Sequence, residues 1–173
     1  MIKGVFSGYL MMLLTAIIWG FAFVAQKSSM DVMGPFTFNA ARFLLGASCL
    51  LLLLPVIRSR HGPLGKKGWL SGAWMGLFLF FGSITQQIGL VSTTAGKAAF
   101  ITGLYIVLVP LLLALFGQAL SRLIWLAVAA GLAGLYLLSF QGESMVPATG
   151  DLWVLASALF FALHILIIGR ASL

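Results

Sequence analysis

Between Lys3 and Lys27 the chain runs from Gly4 to Gln26 without a charged residue. A helix of that length crosses a hydrocarbon layer of about 30 Å with some tilt. The pattern then recurs. Pro35 to Ile57 is broken only by Arg42, and Gly68 to Gly96 carries its amides at Gln86 and Gln87. Ala98 to Gly117, Leu123 to Phe140 and Leu152 to Gly169 complete the series. Each stretch is too long and too apolar for a strand of a membrane barrel, which alternates over about ten residues. The sequence therefore predicts an all-α polytopic membrane protein with six transmembrane helices.

Composition closes the other routes. Of the 173 residues 62% are hydrophobic and 8% charged, where soluble domains are about a quarter charged. Soluble, disordered, collagen-like and coiled-coil classes are excluded. The six spans leave no room for an extramembrane domain. One cysteine, Cys49, in an apolar run forms no internal disulfide and suggests no metal site. The first span has a basic start, but its apolar region exceeds the roughly 7–15 residues of a signal peptide. No clear small-x-small cleavage site precedes Lys27, so a retained first helix is expected.

The net charge of +7 has a topological explanation. With the N-terminus inside, the inner side carries Lys3, Arg58, Arg60, Lys66, Lys67, Arg122 and Arg170. The outer loops hold only Lys27 and Lys97 among the bases, with Asp31, Glu143 and Asp151. That asymmetry follows the positive-inside rule. It predicts a cell (inner) membrane location with a cytoplasmic N-terminus, and it accounts for the basic chain without nucleic acid. Pro35 after Gly34 opens the second helix, since the first helical position needs no N–H. His61 to Lys67 reads as a turn-rich inner loop. Gln141 to Gly150, with Pro147, is the longest outer loop and the expected boundary between residues 1–141 and 142–173.

A shift of 142 positions lays the sixth span over the first. Gly8 meets Gly150, Leu10 meets Leu152, Leu13 meets Leu155, Ala16 meets Ala158, and Trp19-Gly20 meets Phe161-Ala162. Five spans precede the sixth, so the two copies run in opposite senses, as inverted repeats of alternating-access transporters do. Three stretches carry a more specific likeness: Leu13 to Phe23 (LLTAIIWGFAF), Gly34 to Gly46 (GPFTFNAARFLLG), and Gln86 to Tyr105 with its QQIGL and TTAGKAAFITGLY segments. With them the chain resembles the EamA-type drug/metabolite transporter superfamily, and Ala158 to Leu166, containing His164, is compatible with it. The resemblance implies ten helices in two inverted five-helix repeats with the substrate cavity between them. This chain matches the first five-helix repeat and the first helix of an inverted second repeat.

Polar groups inside spans are costly and usually face protein or water. Arg42 lies about two turns from the outer end of the second span. It is either a fixed cation on an outward cavity, attracting a carboxylate, or a side chain that snorkels to the headgroups or pairs with Asp31. Lys97, Ile101, Leu104, Tyr105 and Leu108 share one helical face. Lys97 and Tyr105 then offer a charge and a hydroxyl to a ligand, or else mark an interface and a packed bundle. Trp19, Phe23, Gln26 and Lys27 form a similar stripe on the first span, the alternative for Trp19 being a belt anchor. Gln86 and Gln87 point different ways, one toward the cavity and one toward a neighbouring helix. His164 is the one side chain in a span of a type that ordinarily changes charge near neutral pH, and it either serves a solute or proton or is satisfied by a neighbour. The candidate substrate-binding set is thus Trp19, Gln26, Arg42, Gln86, Lys97, Tyr105 and His164. Pro110 predicts a kink by freeing the Ile106 carbonyl, and Gly72 with Gly76 offers a small-xxx-small packing face.

No span holds Asp or Glu, so an intramembrane carboxylate relay has no carrier. Residues 62–67 lack the spacing and hydroxyl of a phosphate-binding loop. No nucleophile–base set, metal cluster or nucleotide loop stands out; neither an enzyme nor a cofactor or metal is expected. The reading is a carrier of small organic solutes (amino acids, metabolites or drugs) by alternating access, as part of a longer ten-helix protein. The cations Lys27, Arg42 and Lys97 favour zwitterionic or anionic solutes. The expected partners are the solute, the lipid bilayer, and either the second-half helices or a second copy. The rival is a non-transporting module, a truncated remnant or half-unit that assembles with another chain.

Overall fold

The computed structural model of the protein describes residues 2–62, 65–139 and 148–171, and among them every regular element is an α-helix. The helices are α1 (Ile2–Ser29), α2 (Pro35–His61), α3 (Lys66–Ser92), α4 (Ala95–Gly103), α5 (Tyr105–Leu115), α6 (Arg122–Ser139) and α7 (Thr149–Ala171). Ser7–Ser29, Pro35–Ser59, Lys66–Ser92, Ala95–Leu115 and Thr149–Ala171 are long and apolar enough to cross a membrane, and Arg122–Gly134 is a shorter apolar stretch. The all-α, six-span expectation holds, with the fourth span split into α4 and α5. The expected boundary at 141–142, and Glu143 with it, lies outside the described residues.

Local chemistry sets the ends. Pro35 follows Gly34 at the start of α2, as expected. The third and fourth spans meet at Thr93-Thr94, earlier than the apolar pattern indicated. Thr93 leaves α3 in an extended conformation, and the Thr94 hydroxyl accepts from the Lys97 N–H at 3.2 Å to cap α4. Gly117, at φ +81°, closes α5: its N–H reaches Ala114 O and the Gln118 N–H reaches Leu113 O, both at 3.0 Å. That is a Schellman closure, which needs a left-handed residue.

The interruption in the fourth span is displaced from its expected place. Pro110 sits inside α5, and the helix breaks at Leu104 instead. There the Leu104 N–H turns back to Ile101 O at 3.1 Å. Pro110 leaves the Ile106 carbonyl without its N–H, and the break lies two residues before that carbonyl, next to Gly103.

Two contacts orient the bundle. Lys27 at the end of α1 reaches carbonyls at the end of α3, so these two helices finish together. Along α3, Ser92 meets Thr149, Gly89 meets Val154, Gly82 meets Phe161 and Met75 meets His164. α7 therefore runs antiparallel to α3 and to α1, and it packs on α3 more closely than any other helix pair does. A Cβ on Gly89 would lie 2.6 Å from the Gly150 carbonyl oxygen, and one on Gly82 would lie 2.8 Å from the Phe161 ring. Two backbones meet at Gly89 and Gly150, and only glycine permits it. The small-residue face expected at Gly72 and Gly76 is not used in this way. Both are exposed and a Cβ on either meets nothing within 4 Å, because α7 lies along a different face of α3.

Candidate functional site

The buried residues gather toward the end of the bundle where α1 and α3 finish and α4 and α7 begin, termed here the Lys27 end. A small apolar cluster of Leu90, Ala98 and Val154, flanked by Phe23, Met30 and Ile101, lies there. Around it the buried side chains are largely polar: Gln26, Asn39, Gln86, Gln87, Lys97 and Thr102 among them. In lipid, polar groups must find partners within the protein, and most of these do.

Arg42 is the centre of this layer. Its Nη1 donates to Gln26 Oε1 at 2.8 Å and its Nη2 to Asn39 Oδ1 at 2.5 Å. The guanidinium also lies over the Phe38 and Phe43 rings, 5.5 and 5.3 Å from their centroids, within cation–π range. Asp31 is not its partner. Gln26 Nε2 donates to Ala22 O at 3.1 Å, and Asn39 Nδ2 donates to Ser83 O at 3.2 Å. One connected chain of amides and guanidinium thus ties α1, α2 and α3.

Gln86 and Gln87 diverge. Gln86 Nε2 donates to Thr102 Oγ1 at 2.9 Å, toward α4. Gln87 Nε2 turns to α1, to Gln26 O at 3.4 Å and Met30 Sδ at 3.2 Å, while its Oε1 is buried without a hydrogen-bond partner. Lys97 is buried at the start of α4. Lys27 is not a free vestibule cation: its Nζ donates to Leu90 O at 2.8 Å and Val91 O at 3.2 Å. A cation on the last carbonyls of a helix complements its dipole, so this lysine ties α1 to α3.

The other candidates fall elsewhere. Trp19 and Tyr105 line an open groove of about 500 Å³ with Met11, Met12, Thr15 and Ala16. The Thr15 hydroxyl is spent on Met11 O at 2.8 Å, so the groove wall is mainly apolar and aromatic. His164 lies on the α3–α7 seam, with Nδ1 2.8 Å from Met75 O. A carbonyl only accepts, so Nδ1 carries the proton. Asp151 secures the Lys27 end of the same seam, accepting from Thr93 Oγ1 at 2.5 Å and from the Ala148 N–H at 2.8 Å.

The structure thus brings Gln26, Arg42 and Gln86 into one polar layer with Lys97 at the same end, pairs Trp19 with Tyr105, and sets His164 apart. Sequence reasoning missed Asn39 and Thr102. Asn39 had a readable signal: an amide three residues before Arg42 lies on the same face of a helix. Thr102 had none, since only the packing of α4 on α3 brings it to Gln86.

Apolar helices of spanning length around a buried layer of amides and cations define a multi-pass membrane protein. The EamA-like transporter family matches residues 6–140, and the chain belongs to that family, within the drug/metabolite transporter superfamily. It is 34% identical over 163 residues to an uncharacterized transporter of Archaeoglobus fulgidus, covering 92% of this chain and 48% of that one. It is 30% identical over 166 residues to a chloroplastic WAT1-related protein of Arabidopsis thaliana, covering 90% of this chain and 39% of that one. The chain thus spans about half the length of these relatives, or less. No solved structure gives a significant match.

Proposed function

We propose that this chain supplies the first repeat, residues 1–141, and the opening helix of an inverted second repeat, 142–173, of a carrier for small organic solutes that works by alternating access. The Lys27 end faces outward and the N-terminus lies in the cytoplasm of an inner-membrane protein. The basic residues of the opposite end support that orientation. The opposed senses of α1 and α7 are in keeping with an inverted repeat. Second-half helices or a second copy complete the solute cavity.

One observation carries the substrate reading: a half-buried guanidinium within a membrane span is held by two neutral amides. Its charge is positioned and not cancelled, which suits a carboxylate or another anionic group. Lys97 at the same end adds to that preference. The Trp19–Tyr105 groove offers an apolar wall to the body of an amphipathic solute. Zwitterionic or anionic metabolites, amino acids included, are the class this arrangement favours.

The test is uptake and exchange in proteoliposomes containing the full-length protein, over a panel of amino acids and organic acids. Arg42→Gln and Lys97→Gln are each expected to lower transport about tenfold or more while membrane insertion, followed by protease protection, is unchanged. Normal transport by both variants would remove the cavity assignment. Absence of any uptake or exchange would favour the non-transporting half-unit.

A further inference from the structure

Building on the reading of Arg42 as an anion-attracting group, we propose that Asn39 sets the charge preference of this site. It gives the guanidinium a neutral acceptor at the position where a carboxylate would neutralise it. Arginines buried in proteins are ordinarily paired with acids. Here the partners on both sides are amides, Asn39 from the same helix and Gln26 from α1.

The geometry makes Asn39 more than an incidental neighbour. It is 3% exposed and committed at both ends: Oδ1 accepts from Arg42, and Nδ2 donates to the Ser83 carbonyl of α3. The α3 backbone therefore fixes which way the amide points, and the amide oxygen fixes the guanidinium. Arginine carries five N–H donors. Two are used, on Gln26 and Asn39, which leaves Nε–H and one N–H on each terminal nitrogen for a ligand. A fork with several donors remaining is the group that binds carboxylate in two-point fashion. Asn39 touches no solute in this scheme and acts through Arg42, as a positioning residue that also keeps the charge intact.

The discriminating variants are Asn39→Asp and Gln26→Glu. Each keeps the side-chain length and an acceptor oxygen for Arg42 but brings a negative charge beside it. The readout is modification of Arg42 by phenylglyoxal, resolved by site with mass spectrometry. It is measured on the full-length protein in vesicles of zwitterionic lipid, with and without acetate, at an ionic strength held constant with a bulky sulfonate. In the parent protein acetate is expected to slow modification of Arg42 and to leave exposed Arg58 and Arg122 unaffected. In either acid variant the apparent affinity for acetate should fall about tenfold, the size of effect one well-placed opposite charge has on an ionic equilibrium. Asn39→Thr, uncharged and still an acceptor, should keep the affinity within about threefold, less than one unit of pKa-scale interaction.

Undiminished protection in Asn39→Asp overturns the inference, whatever Gln26→Glu shows. So does an equal loss in Asn39→Thr, because lost positioning and not the added charge then accounts for the effect. Absence of acetate protection in the parent protein withdraws the anion-site reading itself, and this inference with it.

Discussion

α2 and α3 are each 27 residues long and each begins after a glycine. α2 is the more leucine-rich, with an unbroken run from Leu50 to Leu54, yet every residue of that run is exposed on the bundle and Asn39 is the helix's one buried side chain among the described residues. α3 buries Gly82, Ser83, Ile84, Thr85, Gln86, Gln87, Gly89 and Leu90, six of which are glycine or polar. The contrast reverses the rule for soluble proteins. Lipid is as apolar as leucine, so a leucine gains little by moving from lipid to protein. A glycine that lets two backbones touch, or an amide that finds a partner, gains more. α2 presents its hydrocarbon to the bilayer, and α3 holds the bundle together.

Substitutions can break that comparison. The largest effect is expected at the glycine crossing. Gly150→Val adds a side chain where Gly89 O and Ser92 Oγ already stand, and forced separation of packed backbones costs about 2–3 kcal/mol. Denaturant unfolding in mixed micelles should show the loss, and a cysteine pair at Ser92 and Thr149 should cross-link more slowly. If neither changes, the α3–α7 seam does not carry the stability assigned to it.

Next comes the tie between α1 and α3. Lys27→Met removes a charged donor from two helix-terminal carbonyls, a loss of about 1 kcal/mol in the same unfolding assay. A variant as stable as the parent would show that this lysine stands free in the membrane-bound protein.

Gln87 sharpens the comparison from the opposite side. Its Oε1 is buried without a hydrogen-bond partner while its Nε2 makes only a long bond to Gln26 O and a contact to Met30 Sδ, so Gln87→Met removes an unsatisfied acceptor together with two weak donations at nearly constant volume. The two effects oppose each other, and the expected net change is within about 1 kcal/mol of zero, where removal of a fully satisfied buried amide destabilises. A clear loss of stability would mean that Oε1 has a bound partner in the membrane.

The smallest effect belongs to α2. Leu52, 80% exposed, should tolerate alanine within about 0.5 kcal/mol. A larger loss on Leu52→Ala would show that this face is covered by protein, as a second copy or second-half helices would cover it.

Much of this was legible along the chain, because bilayer thickness acts on every span independently of its neighbours. The extents of α1, α2 and α7 follow from the apolar runs to within a few residues, and the start of α2 from Gly34-Pro35. Elsewhere local competition misled the pattern. Thr94 draws the start of α4 forward by capping it, which an apolar run does not reveal. Lys27 reads as an exposed outer cation and is in fact bonded to α3, since no one-dimensional pattern shows that α1 and α3 end side by side. His164 was legible as an unusual group, but not as one bonded to the Met75 carbonyl.

What the sequence determined by itself was the solvent. Its uncharged runs and few charged residues require helices in lipid, and its motifs place the chain in the EamA-like transporter family. Only the tertiary structure decided which polar residues meet. Arg42 had Asp31, headgroups or a cavity open to it. Packing of α1, α2 and α3 gave it two amide oxygens, because side chains choose partners by distance in space. The same packing selected Gly82, Gly89 and Gly150 over Gly72 and Gly76, since a glycine matters to a fold only where another backbone arrives.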